Sequence, residues 1–164
     1  MGACASVPPG AAPGTGEALS GRLAVRVDAS DGLAARSENA SFELRGDARA
    51  GQLNLSTPLG SVLAQARWAP GSVVLATPQG ERSFADLDSL TQEVLGESVP
   101  VAALFDWLRG RPWPGAVSTA SVAPTEAGFA QLGWSVSLAR FDTGLVVATR
   151  GRAPVVTVRA KLDR

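Results

Sequence analysis

From residue 20 to residue 84, apolar side chains recur at every second position, with polar residues between them and turn residues at the breaks. Ser20–Val27 places Leu23, Val25 and Val27 on one face and Arg22 and Arg26 on the other. Ala40–Arg45 aligns Phe42 with Leu44, and Gly51–Thr57 aligns Leu53 with Leu55. Ser61–Trp68 sets Val62, Ala64, Ala66 and Trp68 against Leu63, Gln65 and Arg67. Ser72–Thr77 and Glu81–Phe84 follow the breaks Pro70-Gly71 and Pro78-Gln79-Gly80. A period of two, punctuated by proline and glycine, predicts an antiparallel meander.

The period then changes. Asp86–Leu95 carries Leu87, Leu90 and Val94 at helical spacing, with acids at its start and Gly96 as the expected C-cap. Val99–Arg109 predicts a second short helix, with Pro100 near its first turn and an apolar stripe of Val101, Leu104, Phe105 and Leu108. Helices this short do not stand alone in water, so both must pack on the sheet. Period-two runs resume at Ala116–Val122, Gly128–Leu132, Trp134–Phe141, Leu145–Arg150 and Val155–Leu162. The count is roughly eleven strands with two helices inserted mid-chain.

A sheet of that size must curl or close, and a helical insert across its mouth makes a place for an apolar ligand. The expected walls are Leu23, Val25, Phe42, Leu44, Leu53, Leu55, Val62, Trp68, Trp134 and Val136, and the expected lid is Leu90, Val94, Leu104, Phe105 and Leu108. The same residues would serve equally as a core that fills its own space. Periodicity does not distinguish a filled barrel from a hollow one.

Thr57-Pro58-Leu59-Gly60-Ser61 lies between two of these strands. Proline at i+1 and glycine at i+3 suit a tight turn, which puts Leu59 at a hairpin tip. Single exposed leucines are common, but a large apolar side chain at a tip also suits contact with a membrane or an acyl chain. The loop Pro58, Leu59, Gly60 is therefore the candidate membrane-insertion element.

Composition narrows the chemistry. The 164 residues fit one domain, and fifteen basic residues balance fifteen acidic ones, so no net field points to nucleic acid. There is no histidine, which removes the commonest general base and the commonest metal ligand, and Lys161 is the sole lysine. Neither catalytic residues nor a metal site nor a cofactor is expected. Asp86, Asp88 and Glu93 read as helix-start and surface charges. Arg109 and Arg111, between Trp107 and Trp113, read as a solvated helix end or as a contact for headgroups or a partner. No run of about 20 apolar residues, the length a bilayer demands, is present.

Residues 1–19 are dominated by proline, glycine and alanine and are expected to be a disordered tail ahead of a single domain over 20–164. Cys4 is the single cysteine, so no intramolecular disulfide is possible. Gly2-Ala3-Cys4 is similar to the end of a bacterial lipoprotein signal, in which the cysteine becomes lipidated, but no charged-then-apolar leader precedes it. The expectation is a lipid anchor on Cys4 and a chain that lacks its signal peptide.

Several segments, in order and spacing, resemble the LolB family, the outer-membrane lipoproteins that receive other lipoproteins in the last step of the Lol pathway. They are Leu53-x-Leu55-x-Thr57-Pro58-Leu59-Gly60-Ser61, Gly80-Glu81-Arg82 leading into Asp86–Gly96, Val99-Pro100, Trp107-x-x-Gly110-x-Pro112, Trp134-x-Val136 and Phe141-Asp142. The resemblance spans about Ser20 to Leu162 and implies a mainly β fold: an open, strongly curved antiparallel half-barrel with a helical lid over an apolar cavity. It implies no enzymatic activity. It implies acylated lipoprotein cargo, handed over by the periplasmic carrier LolA and released into outer-membrane lipid at the periplasmic face, with a monomer expected. The family's protruding-loop leucine corresponds to Leu59 and its lipidated cysteine to Cys4. The absence of tyrosine departs from the family pattern and leaves the cavity lining open. Three competing readings remain at this level: a soluble LolA-like carrier, a lipid-binding scaffold unrelated to lipoprotein sorting, and a carboxylate enzyme on a β-barrel.

Overall fold

The structure, a computed structural model, describes residues 18–163 with the exception of residues 48, 96 and 123–125. The expected tail and Cys4 lie outside the described residues, apart from Ala18 and Leu19, and so does the expected cap Gly96. The chain forms β1 (Leu19–Val27), β2 (Arg36–Gly46), β3 (Gly51–Ser56), β4 (Val62–Ala69), β5 (Ser72–Thr77) and β6 (Gly80–Phe84). Helices α1 (Leu87–Leu95) and α2 (Val101–Trp107) follow. The remaining strands are β7 (Ser118–Ala120), β8 (Gly128–Gln131), β9 (Trp134–Ser137), β10 (Leu145–Arg150) and β11 (Val156–Leu162).

All eleven strands belong to one sheet, in the order β6-β5-β4-β3-β2-β1-β11-β10-β9-β8-β7. Every neighbouring pair is antiparallel. The sheet is curved and unclosed, with β6 and β7 as its two edges. The first and last strands meet at its centre, in a register that sets Val25 opposite Val158. Gly21 permits that approach, since a Cβ there would lie 2.1 Å from the Lys161 carbonyl oxygen. Because α1 and α2 separate β6 from β7 in the chain, the helical segment is the covalent link from one edge to the other.

Alternation dictates which face is buried. In β11, Val156, Val158, Ala160 and Leu162 are buried while Arg159 and Lys161 are exposed. The buried faces of the strands and of α2 form one continuous cluster. Trp107 and Ala103, with no exposed surface, are the plug of this core. Trp107 meets Phe129 and Trp134 at ring-centroid distances of 6.2 Å each, and Phe105 stands edge-on to Trp68 at 5.7 Å.

Some boundaries differ from the pattern. β2 starts at Arg36 rather than Ala40, because polar, exposed Arg36–Asn39 still pair with Val27–Ala24 through the backbone. β9 stops at Ser137, where a 3-10 turn over Phe141–Thr143 intervenes and Gly144, at φ +91°, ends it. β7 shrinks to three residues, the length over which β8 offers it partners. Pro100 precedes α2 as its N-cap, and its carbonyl accepts the N–H groups of Ala103 and Leu104.

Candidate functional site: an apolar cavity under the helices

Between the buried faces of β1–β4 and β11 and the two helices lies a cavity of about 130 Å³. The sheet contributes Leu23, Val25, Ala40, Leu53, Leu55, Ala66, Trp68 and Val158, and the helical segment contributes Leu87, Leu90, Val94, Val99, Val101 and Leu104. The polar lining residues are Glu38, Asn39 and Thr91. Glu38 and Asn39 are exposed at the border, while Thr91 is buried with its hydroxyl occupied. That hydroxyl accepts the Val99 N–H at 3.0 Å and donates to the Asp88 carbonyl at 3.1 Å. The indole N–H of Trp68 is likewise turned away, donating to the Asp47 carbonyl at 2.9 Å. The interior surface thus offers hydrocarbon contact and few free hydrogen-bonding groups.

Several expected wall and lid residues come together here: Leu23, Val25, Leu53, Leu55, Trp68, Leu90, Val94 and Leu104. Phe42, Leu44, Phe105, Leu108, Trp134 and Val136 are buried in the surrounding core and do not line the void. Val62 lies apart from both, 63 % exposed, because β4 begins there beside a register irregularity at Leu55/Ser56. Ala40, Ala66, Leu87, Val99, Val101 and Val158 complete the lining although periodicity did not single them out as walls. The small side chains of Ala40 and Ala66 are part of why space exists, a signal that an apolar pattern alone does not weigh.

The two helices are held very differently. α2 is keyed into the core by Phe105 and Trp107. The Trp107 indole N–H donates to Gln131 Oε1 at 2.8 Å, and the same oxygen accepts the Trp113 N–H at 2.8 Å. Gln131 Nε2 in turn donates to the carbonyls of Trp113 and Ala116. Gln131, 2 % exposed, is a polar clamp whose place in a short alternating strand run gives no sign of that role in the sequence. α1 has the buried pair Leu90 and Thr91, and an exposed Arg82–Glu93 ion pair of 3.2 Å ties it to β6. Such exposed pairs add little. The connection between the helices is fixed by Glu97, which accepts from the buried Arg150 guanidinium on β10.

The acids near α1 are accounted for. Asp86 accepts the Ser89 N–H at 2.7 Å, and that bond, with the Ser89 hydroxyl, holds its carboxyl below the usual range. Burial, then the neighbouring Asp86 charge, pushes Asp88 up. Glu93 is the partner of Arg82. Arg111 pairs with Asp106 at 2.7 Å, and Arg109 donates to the Phe105 carbonyl, so both arginines serve the end of α2. Among the described residues no cluster of histidine, cysteine and carboxylate side chains is placed to hold a metal ion, and no helix is long and apolar enough to cross a membrane.

The loop between β3 and β4 has the geometry its sequence suggests. The Gly60 N–H donates to the Thr57 carbonyl and the Thr57 N–H to the Ser61 carbonyl, both at 2.9 Å. The Thr57 hydroxyl adds a bond from the Ser61 N–H at 3.1 Å. Gly60 takes φ +96°, a conformation that glycine adopts without strain. Leu59, at the tip, is 96 % exposed. Leu63, in the outgoing strand, is exposed on the same hairpin.

An open antiparallel half-barrel whose helical insert covers an apolar-lined cavity defines a class of mainly β scaffold. The family described as "Outer membrane lipoprotein LolB" matches residues 18–157, and the chain belongs to the LolB family. It is 39 % identical over 149 residues to the outer-membrane lipoprotein LolB of Bordetella pertussis, covering 87 % of this chain and 74 % of that protein. The LolB of Bordetella petrii is 37 % identical over 169 residues, covering 95 % and 84 % of the two chains. The LolB of Cupriavidus pinatubonensis is 38 % identical over 160 residues, covering 94 % and 76 %. This membership gives the chain a role in lipoprotein localisation at the outer membrane, and that role is not enzymatic.

Proposed function

We propose that the protein takes the acyl chains of a lipoprotein from the periplasmic carrier LolA into the cavity beneath α1 and α2, and then releases that cargo into the outer membrane. The observation that carries this reading is the lining: fourteen apolar side chains of the sheet and helical segment face a common void. Acyl chains gain about 0.8 kcal/mol for each CH₂ taken out of water, so such a surface binds them without specific polar contacts. Handover then needs no chemical energy source if this cavity holds the cargo better than the carrier does. A difference of about 1.4 kcal/mol already gives a tenfold bias.

The void of about 130 Å³ is smaller than an engineered cavity of about 150 Å³ that holds one benzene. A fatty chain is several times longer than benzene, so the void as it stands is too small for one and loading requires the roof to lift. α1 is the part that moves in this mechanism, because it carries no buried aromatic side chain, whereas α2 is keyed in by Trp107 and Phe105.

Leu59 serves the release step. Burying one leucine side chain in a bilayer is worth about 1.5–3 kcal/mol, too little to anchor a protein and enough to orient one. Anchoring itself is assigned to an acylated Cys4, with the chain acting as a monomer at the periplasmic face.

Transfer of a labelled acylated protein from LolA to this protein, and on to liposomes, tests the scheme. Leu59→Glu is expected to fold normally and to accept cargo from the carrier, but to lose delivery to the liposomes. Normal delivery by Leu59→Glu would end the role given to the loop, and failure of the unaltered protein to accept cargo would end the role given to the cavity.

A further inference from the structure

The opposite face of the central strands carries a second feature. Arg22 of β1, Arg159 and Lys161 of β11, and Arg140 before the 3-10 turn line one open groove, which Pro58 of the β3–β4 loop also borders. Strand pairing puts them together: Arg22 lies opposite Lys161 on one side and Ser41 on the other, and Ser41 lies opposite Ser56, the residue before the loop. All four cations are exposed, and no carboxylate lines the groove. Four other arginines of the sheet, Arg26, Arg45, Arg67 and Arg82, each lie within 3.4 Å of a carboxylate. Among the described residues none of Arg22, Arg140, Arg159 and Lys161 has an ion pair, and the Lys161 ammonium donates to the Thr143 carbonyl. In a chain whose charges cancel overall, four cations without an ion pair around one concavity are a local excess of positive charge.

We propose that this groove binds the headgroups of anionic phospholipids. Position decides the occupant: the groove abuts the loop whose tip is Leu59, so an apolar point and a cationic flank meet at one end of the sheet. That combination suits a bilayer surface, where apolar insertion and attraction to acidic headgroups act together. The proposal rests on the membrane role given above to Leu59 for its orientation, and it adds a lipid preference that the loop alone lacks. The cations also define the roll of the molecule about the inserted loop, which one leucine does not.

The test is flotation of the 164-residue chain with vesicles of phosphatidylcholine alone and of phosphatidylcholine with about 30 % phosphatidylglycerol. The acidic vesicles are expected to bind the unaltered protein more tightly, with the gain removed by about 0.5 M salt. The double variant Arg22→Gln/Arg159→Gln should lose about fivefold per cation, hence about 25-fold, on acidic vesicles and nothing on neutral ones. Both side chains are exposed, so an unchanged melting temperature certifies the fold. Equal binding of the double variant and the parent to acidic vesicles would overturn the proposal, and so would a variant whose vesicle binding is intact but whose capture by the carrier is lost. Leu59→Glu separates the two readings: if it alone abolishes binding while the groove variant does not, the loop stands and the groove falls; if it binds acidic vesicles as the parent does while the groove variant fails, the reverse holds.

Discussion

Gln131 shows how much one side chain decides. Its carboxamide satisfies the Trp107 indole, both backbone groups of Trp113 and the Ala116 carbonyl from a nearly solvent-free position. A buried donor or acceptor left without a partner costs about 1–3 kcal/mol. Gln131→Leu keeps the bulk and strands several such groups at once, so a loss of at least about 3 kcal/mol is expected in denaturant unfolding. A loss under 1 kcal/mol would mean that water or a shifted Trp113 replaces the clamp. Asp86 works at the same scale and in the opposite register, since it is exposed. Its carboxyl is held low by the Ser89 N–H, so its contribution to starting α1 is present above the unfolded carboxylate pKa and fades as pH falls through the lower folded value. Asp88 has the opposite sign: raised by burial and by the Asp86 charge, it disfavours the folded state when ionised and does so less as it protonates.

At the scale of elements, α1 and α2 are neighbours in sequence with different jobs. α2 is short yet carries two buried aromatic residues, while α1 carries none and packs through Leu87, Leu90 and Thr91, with an exposed ion pair from Glu93. The Thr91 hydroxyl is the joint between them, through its bond from the Val99 N–H. Thr91→Val preserves shape and leaves that buried N–H without a partner. The expected outcome is local: amide exchange in α1 and at Val99 accelerates about tenfold, the equivalent of about 1.4 kcal/mol, while the amides of α2 from Phe105 onward stay as protected as before. Uniform acceleration through both helices would show that the pair opens as one unit and that α1 is not a separate lid.

On the scale of the whole molecule, one curved sheet is used unequally along its length. Trp107, Phe129 and Trp134 fill the side under β8 and β9, and the side under β1–β4 is left partly empty. The hollow is therefore a property of how one insert of fixed size meets a sheet too wide for it. Filling the hollow tests its purpose. Ala66, 6 % exposed, faces it, and Ala66→Leu introduces three carbons into existing space. The melting temperature is expected to hold or rise, while space for about two acyl methylenes is lost, which at about 0.8 kcal/mol each weakens cargo binding about tenfold. Unchanged binding would place the acyl chains elsewhere.

Residue order alone determined the alternation that makes the strands, the change of period that makes two helices, and the tight loop that exposes Leu59. These are local matters: Pro58 and Gly60 dictate a turn, and Leu53 and Leu55 share a face wherever the strand goes. Folding in three dimensions decided the rest. The meeting of β1 with β11, the bridging of both sheet edges by the helical segment, and the inclusion of Ala66 and Val158 but not Phe42 or Val136 in the cavity wall depend on partners far away in the chain. A buried apolar side chain carries the same sequence signature whether it faces another side chain or a void. Only the separation between sheet and helix, summed over many distant contacts, says which it is.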